Sequence, residues 1–171
     1  MNARLFMAAF TSGASRMTIL HQETLANGEV QTTDEVFENL AIGPAIHVPY
    51  MHHFHLWTCM LVAQECTEDT CYPGCCMKIG LADKEGNDLK TILSILAITK
   101  QWHQEGKKIM IACGAGRSRA PSITSAHMVN CGVAGDMLEA IGVIGRSRQV
   151  APNAGIWGNV EEALKKLRSA A

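Results

Sequence analysis

Residues 109–123 read IMIACGAGRSRAPSI. Ile109 to Ala112 is an apolar run of the length of a short buried strand. A small-residue loop follows, from Cys113 to Arg119, and Ala120-Pro121 opens a second apolar segment with helical spacing. Pro121 suits the first turn of a helix, where a missing N–H breaks no intrahelical bond. Strand, small-residue loop, helix start is the layout that turns successive backbone N–H groups toward one anion. A cysteine at the head of such a loop lies beside a helix N-terminus and a guanidinium, and both favour a thiolate.

The segments around this stretch extend an alternating pattern. Asn39–Ile42, Thr58–Ala63 and Met77–Ala82 read as strands, the first stopped by Gly43-Pro44. Leu5–Phe10 and Met17–His21 are further candidates, and Asn27-Gly28 is a turn signal able to join two strands. His47, His52, His53 and His55 fall in a mixed stretch with room for a short helix. Leu89, Ile92, Leu93 and Leu96 recur at the helix period, with Asn87 or Asp88 as cap and Gly106 as stop. Three more helices are predicted: from the Cys113 loop to Asn130, over 134–145, and over 155–168. Strands alternating with helices imply an α/β fold, a central, mostly parallel sheet of about four to five strands flanked by helices. The length of 171 residues fits one domain spanning 1–171, with residues 1–35 as an N-terminal extension.

Composition narrows the partners. Charged residues make up 18% and the net charge is −1, so no broad basic surface points to nucleic acid or an anionic membrane. Any phosphate must be held by local geometry. No apolar run approaches a membrane span or a secretory signal core. The seven cysteines, an odd number, read as free thiols in a reducing cytoplasm. Cys66, Cys71, Cys75 and Cys76 lack the paired C-x2-C spacing of a structural zinc site, and His52, His53 and His55 have no carboxylate or thiol at ligand spacing. No metal and no cofactor is expected.

A Cys-x5-Arg loop can ring phosphate oxygens with the amides of Gly114, Ala115, Gly116, Arg117, Ser118 and Arg119. Arg119 returns a planar fork to the same oxygens, and Cys113 lies under phosphorus. An acid is then needed for the leaving oxygen. Asp83 stands 30 residues upstream in a polar loop after a strand. Parallel strands bring such loops to one sheet edge. Asp88 is the rival acid, but it better suits a helix N-cap.

These residues resemble the signature of the dual-specificity protein phosphatases, within the cysteine-based tyrosine phosphatase superfamily: His-Cys-x-x-Gly-x-x-Arg-Ser/Thr. Cys113, Ala115, Gly116, Ser118 and Arg119 match, and Pro121 follows as it often does in the family. Asp83 occupies the general-acid position. Arg148 to Ile156 is similar to the family's Arg…Pro-Asn-x-Gly-Phe segment before the last helix. The resemblance covers about residues 38 to 168. It implies a tyrosine-phosphatase-like fold and a two-step, metal-free hydrolysis in which Cys113 attacks the phosphomonoester and Asp83 serves as acid, then base. The implied partners are phosphotyrosine proteins, with phosphoserine and phosphothreonine proteins as further candidates.

Two positions depart from the pattern. Ala112 replaces the histidine that helps hold the loop. Ala120 replaces the hydroxyl that assists departure of the thiolate, although alanine there also occurs in the phosphatase of regenerating liver group. Ser122 is a candidate substitute. The departures open a second reading, a slow or inactive pseudophosphatase that binds phosphorylated ligands. A third, a rhodanese-like sulfurtransferase, is disfavoured by the helices after the loop. Ser118 is expected to support the loop, Arg148 and Asn153 to brace it from behind. Arg117 is either a solvated side chain or a contact for acidic groups flanking the phosphate.

Overall fold

The computed structural model describes residues 18–66 and 76–169. Six strands form one sheet: β1 (Thr18–Thr24), β2 (Val30–Phe37), β3 (Leu40–Pro44), β4 (Thr58–Ala63), β5 (Cys76–Leu81) and β6 (Ile109–Cys113). Their order across the sheet is β1-β2-β3-β6-β4-β5. β3, β6, β4 and β5 run parallel, and β2 is antiparallel to both its neighbours. Among the described residues there are five α-helices, α1 (Val48–His55), α2 (Leu89–Gln104), α3 (Arg119–Asn130), α4 (Met137–Ser147) and α5 (Ala154–Ser169), and a 3-10 turn over Ala45–His47.

The centre of the sheet is β6, and every one of its residues is buried. That requires cover on both faces, and it explains why IMIAC shows no alternation. α3 packs against β6 and also touches α2, α4 and α5, so it lies at the middle of the helical layer. Eleven of its twelve residues are buried, so it has no polar face to give to solvent.

The expected α/β architecture is present, with more strands than predicted. The extra pairing comes from the hairpin of β1 and β2, joined at Asn27-Gly28. β3 does not stop before Gly43-Pro44 but runs through it, and Pro44 pairs with Cys113 at the end of β6. A proline is tolerated there because the strand ends with it. The candidate strand Leu5–Phe10 lies outside the described residues, as do Cys71 and Cys75. Cys66, Cys113 and Cys131 are free thiols. Cys76 is disulfide-bonded, which departs from the expectation of free thiols throughout. Among the described residues, no helix is long and apolar enough to cross a membrane.

Candidate active site

Cys113 ends β6, and α3 begins only six residues later at Arg119. The loop between them is compressed by its scaffold. Gly116 has φ +69°, and a Cβ there would come within 2.8 Å of both Arg148 Nη2 and the Gly43 carbonyl carbon. Only glycine satisfies both conditions. The Gly114 carbonyl accepts from the Ala45 N–H at 3.4 Å and the Arg117 carbonyl from the Ala151 N–H at 2.8 Å. These carbonyls are thus tied to the surrounding chain.

Arg148 is the rear support. Its Nη1 donates to the Ile42 carbonyl at 2.5 Å and to Asp34 Oδ2 at 3.2 Å. Both charged side chains are buried. Burial pushes the Asp34 carboxyl above its usual range and the Arg148 guanidinium below its own.

Ser118 and Asp83 meet across the loop. The Ser118 hydroxyl donates to Asp83 Oδ1 at 2.6 Å and accepts the Asn153 N–H at 2.8 Å. With its hydroxyl committed there, Ser118 gives α3 no side-chain cap. The first turn of α3 therefore keeps amide donors for another acceptor. One of them, the Ala120 N–H, points at Cys113 Sγ, 3.4 Å away. Such a donor stabilises negative charge on sulfur.

Asp88, the rival acid, is the N-cap of α2: its Oδ2 accepts from the Thr91 hydroxyl at 3.0 Å and from the Thr91 N–H at 3.1 Å. These bonds hold its carboxyl below the usual range. The loop that carries Asp83 is built by Asn87 instead. Asn87 Oδ1 accepts the Ala82 N–H at 2.8 Å, while its Nδ2 donates to the carbonyls of Ala82 and Lys84. Its own N–H donates to Asn159 Oδ1 on α5 at 3.1 Å. Gly155 presses on the same loop, where a Cβ would lie 2.3 Å from the Glu85 nitrogen.

Arg119 has a partner that sequence reasoning missed. Glu65, two residues after β4, accepts from both Nη1 and Nη2. Nη1 also donates to the Leu81 carbonyl at 3.0 Å. The hydrogen bonds from Arg119 hold the Glu65 carboxyl below its usual range and raise the guanidinium above its own. The Arg119 Nε is buried and has no hydrogen-bond partner. The guanidinium lies over the loop, since Nη2 is 3.6 Å from where a Gly114 Cβ would be. Cys113 is 2% exposed, but its sulfur meets the Ala120 amide and lies within electrostatic reach of the Arg119 guanidinium.

The remaining sequence candidates fall as follows. Arg117 is exposed and ion-paired with Glu29 at the hairpin turn, 2.5 Å away. Ala112 and Ala120 are fully buried. Ser122 does not stand in for a hydroxyl beside Cys113: its Oγ donates to the Ser118 carbonyl at 2.9 Å. Nothing in the sequence marked Glu65, whose relation to Arg119 is set by strand order alone.

No protein-family model matches the chain, and no curated protein matches it in sequence. Solved structures do match. Human DUSP28 aligns with TM-score 0.68 at 18% identity, over 80% of this chain and 95% of its own. PTPMT1 gives 0.66 at 14%, over 81% and 97%. The human tyrosine phosphatase-like serine/threonine/tyrosine-interacting protein gives 0.63 at 19%, over 81% and 98%. The loop, its rear arginine and its facing aspartate are thus mounted on the fold of the dual-specificity phosphatases.

Proposed function

We propose that the protein is a cysteine-dependent phosphomonoester hydrolase of the dual-specificity type. The observation that carries this reading is the buried Nε–H of Arg119, which lacks a partner at the uncapped start of α3, beside the Cys113 sulfur. A buried donor left unmade is costly, and an oxyanion in the loop would satisfy it. A phosphate there would accept from Arg119 Nε and from the amides of residues 114 to 119.

The chemistry follows from these positions. Cys113 sulfur attacks phosphorus, forming an S–P bond as the P–O bond to the leaving group breaks. Asp83 gives that oxygen a proton. Water then attacks phosphorus, Asp83 takes a proton from it, and the sulfur leaves as thiolate. The Ser118 hydroxyl bonded to Asp83 keeps the carboxyl over the loop. No step needs a metal or cofactor. A nucleophilic thiolate is also oxidation-prone, which suits a reducing, cytoplasmic setting.

The second reading, capture of phosphorylated ligands with slow turnover, is favoured by one observation: Ser122 is engaged elsewhere, so Ala120 leaves the departing sulfur without a hydroxyl donor. The two readings separate in a rapid-mixing assay with an aryl phosphate. A fast enzyme gives linear release; a slow second step gives one equivalent of aryl alcohol followed by a near-zero rate. No release and no binding of tungstate would contradict both. Phosphotyrosine and phosphothreonine peptides are the proposed substrates. PTPMT1 has been solved with PI(5)P, so phosphoinositides belong in the same panel, with RNA 5′-triphosphates as the outlying arm.

A further inference from the structure

We propose that His103, His127 and Cys131 form a binding site for one thiophilic divalent cation, of which zinc is the fitting example. The three come from two packed helices. His103 lies in the last turn of α2, His127 in the last turn of α3, and Cys131 caps α3 four residues after His127. One donor atom from each lies within 4.8 Å of the others. Cys131 Sγ is 3.8 Å from each of the two ring nitrogens of His127. Tetrahedral zinc, with Zn–S about 2.3 Å and Zn–N about 2.0–2.1 Å, separates two such ligand atoms by about 3.5 Å. The observed spacing needs to close by only a few tenths of an ångström.

The second observation fixes which ring nitrogen is available. Thr99 Oγ1 donates to the Ile95 carbonyl at 2.9 Å. Its proton is therefore spent, and at its 3.1 Å contact with His127 Nδ1 it acts as acceptor. The proton of His127 sits on Nδ1, and Nε2 carries the lone pair. A hydroxyl or carbonyl holding the far nitrogen is the usual support of a metal-bound histidine. Burial, with His103 nearby, pushes the His127 pKa down to about 4, so the ring is neutral near pH 7. His103 is exposed and leaves a path from solvent.

The balance is simple. The ion replaces the thiol proton of Cys131, which goes to solvent, and binds as a thiolate with two neutral imidazoles and an open fourth position for water. Burial pushes the Cys131 thiol up to about 11, opposed in part by Lys100. Uptake near pH 7 therefore releases one proton per ion. The site lies at the opposite end of α3 from the Cys113 loop, and the phosphatase chemistry does not use it. Its effect would be to fasten α2 to the C-terminal end of α3.

The test uses the full chain, reduced with a phosphine and titrated with cobalt(II), then zinc. The expected result is one equivalent of cobalt bound with a near-ultraviolet sulfur-to-cobalt charge-transfer band and the visible absorption of a tetrahedral site, both erased by zinc. Cys131→Ser should abolish the charge-transfer band while the circular dichroism stays native. His103→Ala, an exposed change, should weaken cobalt binding by at least about tenfold. Cys113→Ser should keep the band. Glu23→Gln should keep it too, which separates this site from the second grouping, of His21, Glu23 and His47. Absence of the band in the parent, its survival in Cys131→Ser, its loss in Cys113→Ser or Glu23→Gln, or parent-like affinity in His103→Ala would each overturn the proposal.

Discussion

Glu65→Ala tests how the loop's guanidinium is held. Glu65 takes two hydrogen bonds from the outer nitrogens of Arg119, and the buried Nε is left without a partner. The arginine side chain is 7% exposed and the glutamate 56%. Breaking a fully buried pair costs about 3–5 kcal/mol, and an exposed pair is worth at most about 1 kcal/mol. A pair open on one side lies between these, at about 1–2 kcal/mol. At 1.4 kcal/mol per decade this is a loss of about 5- to 30-fold. Only the Leu81 carbonyl would still steer the guanidinium. The assay is kcat/KM for an aryl phosphate alongside the inhibition constant of tungstate. Both should worsen by a similar factor, because both anions need the same guanidinium in place. If Glu65 instead competed with the anion for Arg119, both would improve. Improvement, or no change within twofold, refutes the positioning role.

Ala120→Ser restores a hydroxyl beside the sulfur. One hydrogen bond to a charged group contributes about 1.5 kcal/mol, so the steady-state rate after the burst should rise about tenfold, and an unchanged rate would mean that sulfur departure is not limiting. Gly155→Val puts a branched side chain where even a Cβ lies 2.3 Å from the Glu85 nitrogen. It should displace the Asp83 loop and lower kcat by at least about tenfold, while tungstate binding, which depends on the Cys113 loop, changes little; parallel losses in both would point to general unfolding. Stability should fall on acidification. His47 and His127 have folded pKa values near 4, chiefly from burial, against about 6.5 unfolded. Between pH 4 and 6.5 the unfolded chain binds more protons, so stability rises with pH across that window and is lost as pH falls through it. Each contributes up to about 3 kcal/mol. Asp34, whose pKa burial raises, opposes this near the acid end. A Tm that stays level from pH 7 to 4.5 would contradict the assignment of both rings as neutral.

The phosphate loop could be read from sequence because its determinants are local. A buried strand, glycines where the chain turns sharply, and a proline at a helix start all act within fifteen residues. The same holds for α2, whose period and Asp88 cap are contiguous. What could not be read depends on strand order. Glu65 meets Arg119 only because β4 lies beside β6, and His103 meets His127 only because α2 packs on α3. The apolar pattern does not mark β2, because its Val30–Phe37 stretch is polar at five of eight positions, and its place in the sheet comes from pairing with β1 and β3 rather than from an apolar run. Asn87 looked like a cap because it adjoins Asp88; its amide instead ties down the turn that carries Asp83.

The sharpest measurement is the chemical identity of the trapped intermediate. The protein is mixed with an aryl phosphate, quenched within the burst and digested, and the phosphorylated residue is located by mass spectrometry. The account predicts phosphate on the sulfur of Cys113 and none in Cys113→Ser. Phosphate on any other side chain, or an undiminished burst from the serine variant, would contradict it.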